Sequence, residues 1–242
     1  MNIVITMAGA GSRFLKAGYH QPKYAIETLG KTLFEWSLSS LANFNQQPNV
    51  QYIFIAPANQ NVKSFIDSKT KSLGVKNYHI VEVNHLTDGQ ATSALLAKPH
   101  WRANDELIIY NIDTYVEPDA LKPEDIKGDG FIPCFNAEGD HWSFVKLDQQ
   151  GKATEIREKE RISNNCTIGL YYFKTCTLYQ HLYTEYYTNQ HHTEQKEKYI
   201  APLYNQMIKE HLDVQITIIP TSKVHVLGTP EEVANFEKEH SF

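Results

Sequence analysis

The chain has 242 residues, 41% hydrophobic and 21% charged, with a net charge of −5 at pH 7. That length can bury a core without disulfides or structural metals, and the composition is too ordinary for wholesale disorder. The acidic balance argues against nucleic-acid and membrane partners; no apolar run nears the ~20 residues of a spanning helix, and no basic-then-apolar leader opens the chain.

Residues Asn2 to Met7 read as a buried, β-branched strand that ends in the small-residue loop Ala8-Gly9-Ala10-Gly11-Ser12-Arg13, with a Pro22-Lys23 pair further on. Thr32-Leu33-Phe34-Glu35 has the pattern of a capping box, and Leu33, Trp36, Ser37, Ser40, Leu41 and Phe44 then keep helical spacing. A second strand spans Gln51 to Ala56. Asn59 is placed to cap a helix whose apolar face is Val62, Phe65, Ile66 and Leu73, stopped by Gly74. A third strand at 79–83, a short alanine-rich helix from Gly89 to Lys98 and a fourth strand at 106–112 follow. Strands alternating with helices over short links predict right-handed crossovers and a largely parallel sheet.

Beyond Asp113 the pattern turns strand-rich. Gly130 to Phe135, Ser143 to Leu147, Ala153 to Glu158 and Thr167 to Phe173 read as strands, with a hairpin turn at Asp148 to Lys152. Thr175 to Tyr187 reads as a helix whose Leu178, Leu182, Tyr183 and Tyr186 stripe is a core face. Glu194 to Leu212 reads as helical apart from Pro202, and Gln190-His191-His192 as an exposed loop. Strands at 214–219 and 223–227 precede a last helix, with Thr229 as cap, Pro230 at its first position and Glu232 at its third. Cys134, Cys166 and Cys176 lack C-x-x-C spacing and read as reduced, packing thiols of a cytoplasmic protein.

The chemistry concentrates in the first loop. It has neither the G-x-x-x-x-G-K-[ST] of a P-loop nor the third glycine of a dinucleotide fingerprint. Gly9 and Gly11 let backbone N–H groups approach a phosphate closely. Arg13 adds a planar fork for phosphate oxygens and Lys23 a mobile point charge. A strand delivering these groups to one place can hold a polyphosphate at the carboxyl edge of a sheet. Asp113 ends the strand at Tyr110-Asn111-Ile112, where its carboxylate suits Mg²⁺ or the capping of the next turn. The 11 histidines are scattered without H-x-x-x-H spacing, so they do not predict a metal site.

MAGAGSRF followed by QPK resembles the signature of nucleotidyltransferases that activate sugar phosphates: the nucleotide-sugar pyrophosphorylases and the related sugar-phosphate and phosphocholine-type cytidylyltransferases. Further resemblances follow in family order at Thr87-Asp88-Gly89-Gln90-Ala91, Asn111-Ile112-Asp113, Glu158-Lys159, Gly169-Leu170-Tyr171 and Gly228-Thr229-Pro230-Glu231-Glu232. The resemblance implies a three-layer α/β/α Rossmann-like nucleotidyltransferase fold with a mainly parallel mixed sheet. It implies one domain over 1–242, with residues 1–128 as the nucleotide-binding half and 129–242 as the acceptor-binding half.

The implied reaction joins a nucleoside triphosphate, CTP above others, to a phosphorylated sugar or small metabolite and releases pyrophosphate, in the service of surface-polysaccharide synthesis. A non-sugar acceptor of phosphocholine or phosphoglutamine type, and a glycosyltransferase of related fold, are the alternatives. The catalytic set is Arg13, Lys23 and Asp113. Ala8, Gly9, Ala10, Gly11 and Ser12 hold the phosphates, while Asp88, Gly89 and Gln90 read the base; helix capping by Asp88 explains the same residues. Glu158, Lys159 and Gly169 line the acceptor pocket, although a salt-bridged strand end accounts equally for the first two. The resemblance also implies a second metal carboxylate. The later segment EKYIAPLYN puts Pro202 near its expected place, and Glu197 is the nearest substitute.

Overall fold

A computed structural model describes residues 1–59, 61–189 and 197–240. The first half supplies β1 (Asn2–Thr6), α1 (Ser12–Lys16), the small hairpin β2 (Glu27–Thr28) and β3 (Lys31–Thr32), and α2 (Leu33–Ser39). It continues through β4 (Gln51–Pro57), α3 (Val62–Ser72), β5 (Tyr78–Val83), α4 (Gln90–Leu95), β6 (Leu107–Asn111) and β7 (Thr114–Val116). The second half supplies β8 (Gly130–Asn136), β9 (Ser143–Leu147), β10 (Ala153–Glu158), β11 (Asn165–Thr167) and β12 (Leu170–Phe173). Then come α5 (Cys176–Tyr183), α6 (Leu203–Lys209), β13 (Val214–Ile218), β14 (Val224–Val226) and α7 (Pro230–His240).

Ten strands make one mixed sheet in the order β10-β9-β11-β8-β12-β6-β1-β4-β5, with β13 beside β8. The strands β6, β1, β4 and β5 are parallel, and β12 runs antiparallel to both β6 and β8. Register aligns Thr6 with Ile55 and with Asn111. The loops after β1, β5 and β6 therefore open on one carboxyl edge.

The period-2 alternation of the strands sorts the core into two layers. Ile3, Ile5, Phe54, Ile108 and Tyr110 face one side with Phe34, Leu38, Val62 and Ile66 from α2 and α3. Val4, Ile53, Ile55, Leu107 and Ile109 face the other with Ala91 and Ala94 of α4, Tyr179 and Leu182 of α5, and Met207 of α6. Each such fully buried aliphatic or aromatic chain contributes about 1.5–3 kcal/mol, which fixes β1 and β6 firmly beneath the loops they carry. A smaller cluster joins Phe14 of α1 to Val233 and Phe236 of α7, clamping the last helix beside the first loop.

The capping box forms as predicted, Thr32 and Glu35 bonding reciprocally at 3.2 and 2.9 Å. Four boundaries differ from the sequence reading. The helix from Leu33 ends at Ser39 and passes into a 3₁₀ turn over Ala42–Gln46. Asn61, not Asn59, precedes α3; the Asn59 Oδ1 accepts from the Asn61 N–H at 3.2 Å and shapes the approach instead. The strand predicted from Thr167 to Phe173 is broken into β11 and β12 at Ile168-Gly169, where Gly169 takes φ 82°. Glu197 to Ala201 are not helical, and α6 starts only after Pro202, whose missing N–H suits a helix start. The remainder of that predicted helix, at 194–196, and the Gln190-His191-His192 loop lie outside the described residues. The Tyr183 and Tyr186 stripe packs against the core, with Thr184–Asn189 continuing α5 as a wider π-type turn.

Candidate active site

The loop after β1 turns on Gly11, whose φ of 59° is left-handed and precedes α1. A Cβ there would press on the Lys23 Cβ at 3.3 Å, so this glycine lets the Pro22-Lys23 segment pack against the loop. Nothing stands within 4 Å of the place a Cβ on Gly9 would take. Lys23 Nζ reaches Asp113 Oδ2 at 2.5 Å, and it also lies 5.7 Å from the Phe14 ring centroid. Arg13 lies exposed on α1.

These groups line a cleft of ≈ 790 Å³ together with Ala8, Gly9, Ala10, Ser12, Asp88, Gly89, Gln90, Lys159 and Glu197. The floor is the sheet edge: the Gln90 amide donates to Thr6 Oγ1 at 2.9 Å. Gly89, at φ 147°, precedes α4, so Asp88 is not that helix's cap. A Cβ on Gly89 would collide with the Lys198 backbone. The closeness is mutual, since Lys198 N–H donates to the Asp88 carbonyl at 2.7 Å and Ala91 N–H to the Lys198 carbonyl at 3.0 Å. Asp88 itself pairs with Lys198 Nζ at 2.7 Å. Burial raises the Asp88 carboxyl, but bonds from Lys198 and Thr92 outweigh it and hold the group below its ordinary value.

The opposite wall is built from side chains. Lys159 has φ 57°, uncommon for a residue with a Cβ, and its ammonium bonds the Tyr199 hydroxyl and lies 4.0 Å from both Glu158 and Glu197. Glu197 accepts from the Tyr199 hydroxyl. Glu158 is tucked behind Lys159, accepting from Ser143, and burial raises its carboxyl with that bond offsetting only part. Gly169 sits against the Asn111 side chain, with no room for a Cβ, and so shapes the cleft through Asn111, which lines it.

Thus Arg13, Lys23, Asp113, the loop residues Ala8 to Ser12, Asp88 to Gln90, Lys159 and Glu197 converge on one cleft, with Glu158 and Gly169 a layer behind. The sequence reading missed Lys198, and it named Asn111 and Glu232 within motifs without giving either a place in the site. Leu227 N–H donates to the Asp113 carbonyl at 2.8 Å as β14 pairs with β7, which brings Gly228 to the aspartate. Asp113 Oδ2 and Glu232 Oε2 each lie 3.3 Å from the point a Cβ on Gly228 would occupy. That Glu232 oxygen is buried with no hydrogen-bond partner among the described residues. The sequence assigned Glu232 only to helix capping; the pairing of β7 with β14 that carries it to Asp113 has no local sequence signal.

A cleft of that size on the carboxyl edge of the sheet's parallel strands, lined by the Lys23–Asp113 pair, is where open α/β enzymes hold their ligands. A model of the nucleotidyl transferase family matches residues 2–218, and the chain belongs to that family. It is similar over 98% of its length to 99% of a nucleoside-diphosphate-sugar pyrophosphorylase from Vibrio cholerae RC9, at 36% identity and a TM-score of 0.89. The fold is shared with an inositol-1-phosphate CTP transferase from T. maritima, at 15% identity, a TM-score of 0.75 and coverage of 99% and 96% of the two chains. It is shared also with a CTP:phosphocholine cytidylyltransferase from Streptococcus pneumoniae, at 17% identity, a TM-score of 0.73 and 98% of each chain. No curated protein matches the chain in sequence. The chain is a nucleotidyltransferase, which sets the glycosyltransferase alternative aside. No helix among the described residues is long and apolar enough to cross a membrane, and Cys134, Cys166 and Cys176 are all buried, free thiols.

Proposed function

We propose that the enzyme transfers a nucleotidyl group from a nucleoside triphosphate, preferentially CTP, to the phosphate of a sugar or other small metabolite, releasing pyrophosphate. The observation that carries this reading is the Lys23–Asp113 pair, 2.5 Å apart beside the Gly9–Gly11 loop in one cleft. An acceptor phosphate oxygen attacks the α-phosphorus and pyrophosphate departs, so no covalent nucleophile is needed. The chain's work is then to neutralise and align two polyanions. Backbone N–H groups of Ala8 to Ser12 receive the triphosphate, Arg13 takes the β- and γ-phosphates, and Lys23 the α-phosphate. Asp88, Gly89 and Gln90 hold the base, the shortness of that segment favouring a pyrimidine. Lys159 takes the acceptor phosphate, with Glu158 and Gly169 shaping its pocket, so that residues 1–128 serve the donor and 129–242 the acceptor. A sugar phosphate is favoured as acceptor by the 36% identical relative, described as a nucleoside-diphosphate-sugar pyrophosphorylase; with such an acceptor the enzyme would serve a cytoplasmic supply of precursors for surface polysaccharide.

The cleft's carboxylates fit Mg²⁺, a hard cation that takes one or two of them and leaves its other positions to water and phosphate. Asp113 is the first. Glu197 is one candidate for the second, although Tyr199 and Lys159 already engage it. Glu232 is favoured by its orphaned buried oxygen beside Asp113. When bound, Mg²⁺ would supply neutralisation of phosphate charge.

Pyrophosphate release measured across the four NTPs against phosphorylated sugars, polyols, choline and amino acids tests the reading. Metal-dependent release with CTP and one acceptor is expected; no release with any pair would overturn it. In the same assay Glu232→Gln should raise the Mg²⁺ needed for half-activity several-fold more than Glu197→Gln. The reverse order would return the role to Glu197.

A further inference from the structure

We propose that His225, Glu239 and His240 form a site for a divalent transition-metal ion, Zn²⁺ fitting best, distinct from the substrate cleft. The three residues come from two elements, His225 from β14 and the other two from the last turn of α7. Among the described residues, theirs is the group of histidine and carboxylate side chains whose ligand atoms all lie within 4.8 Å of one another.

Two features prepare the imidazoles as ligands. His240 Nδ1 lies 2.9 Å from the Phe236 carbonyl; donating there fixes the proton on Nδ1 and leaves the Nε2 lone pair free. A carbonyl holding one ring nitrogen is the usual companion of a histidine whose other nitrogen binds metal. His225 is only 9% exposed, wedged between Tyr115, Phe236 and His240 with ring centroids at 5.4, 5.1 and 4.8 Å. Its Nε2 is buried without a hydrogen-bond partner. The Glu117 carboxylate stands 3.8 Å from that nitrogen, beyond hydrogen-bond range. A buried imidazole nitrogen left bare is costly unless something binds it.

Two imidazoles and a carboxylate suit zinc, which takes such donors at about 2.0–2.2 Å and completes four-coordination with water or a further ligand. The same set selects against Mg²⁺, which prefers oxygen donors alone. Donors around a tetrahedral zinc stand about 3.3 Å apart by those bond lengths, so the site closes by a modest turn of the exposed Glu239. The ion would tie α7 to the antiparallel β7–β14 pair, whose continuation through Leu227 and Gly228 meets Asp113.

The test uses untagged full-length protein in millimolar Mg²⁺, so that oxygen-donor sites are occupied. Co²⁺ should enter at one ion per chain with visible absorption bands of low-symmetry four-coordination, and Zn²⁺ should displace it. At a tenfold excess over Kd, Zn²⁺ should raise Tm by about 3–6 °C. His240→Ala and Glu239→Gln, both at the surface end of α7, should keep the metal-free Tm and weaken Zn²⁺ at least tenfold, measured against a chromophoric chelator. Asp113→Asn should keep the Co²⁺ spectrum. Wild-type protein that retains no Co²⁺ or Zn²⁺, or unchanged Zn²⁺ affinity in Glu239→Gln and His240→Ala, would overturn the site; loss of the spectrum in Asp113→Asn would move it to the cleft.

Discussion

The two walls of the cleft are built by different means. On the side formed by β1, β4, β5 and β6, position is set by backbone: Gly11 turns left-handed, and Gly89 lies flush against Lys198 with two main-chain hydrogen bonds binding the segments together. On the side formed by β9, β10 and β12, position is set by long charged and aromatic side chains, Lys159, Glu158, Glu197 and Tyr199, in one connected network. The backbone cradle of the Gly9–Gly11 loop suits a ligand part common to all donors, since every triphosphate presents the same oxygens. Side-chain networks suit a part that varies, because one substitution recasts the pocket without moving the chain.

The contrast can be broken at several points. The largest effect is expected where the walls meet: Lys23→Ala, which removes transition-state charge, should lower kcat by about 10²–10³ with little change in Tm, and near-normal turnover would remove Lys23 from the chemistry. Next, the walls should separate kinetically. Gly89→Ala must push Lys198 aside, so it should raise the KM for the triphosphate and cost about 1–3 kcal/mol of stability, measured by steady-state kinetics and chemical denaturation. Lys159→Ala should instead raise the acceptor KM about tenfold, leaving the triphosphate KM in place; equal effects on both substrates would erase the distinction.

The smallest effect concerns pH. Burial raises the Glu158 carboxyl above its ordinary 4.5. A folded state that binds the proton more tightly is favoured below the unfolded value, and that advantage is lost as pH rises through the folded one. At pH 7 the chain therefore carries a charge it would rather not bury. Glu158→Gln, which keeps an acceptor for Ser143, should raise Tm by about 1–3 °C at pH 7 and by nothing near pH 4. A lower Tm at pH 7 would show that the carboxylate is a net stabiliser.

Much of the parallel half was legible because its signals are local. Alternation of strand and helix, the Thr32–Glu35 box and the small-residue loop each rest on neighbours a few residues apart. Thr32 and Glu35 pair as their spacing demands, and β1, β4 and β6 fall where apolar runs placed them. The failures are long-range. The helix expected through 197–201 gives way because Lys198 bonds Asp88 and Ala91, a partnership that no window around Lys198 contains. Glu232 reads as part of a helix start, and only the meeting of β7 with β14 reveals its second neighbour. Scattered histidines likewise give no spacing signal, yet His225 and His240 adjoin once α7 folds back on its strand.

The ammonium of Lys23 and the carboxylate of Asp113 serve each other as counterions in the resting enzyme. Under the proposed chemistry, neither can greet its own guest without releasing the other. A metal arriving alone must evict a cation, and a bare triphosphate must strand an anion beside its own. On that proposal the pair would act as a latch that opens at least cost to a triphosphate already carrying its metal, and the metal-laden donor would arrive first, the acceptor after.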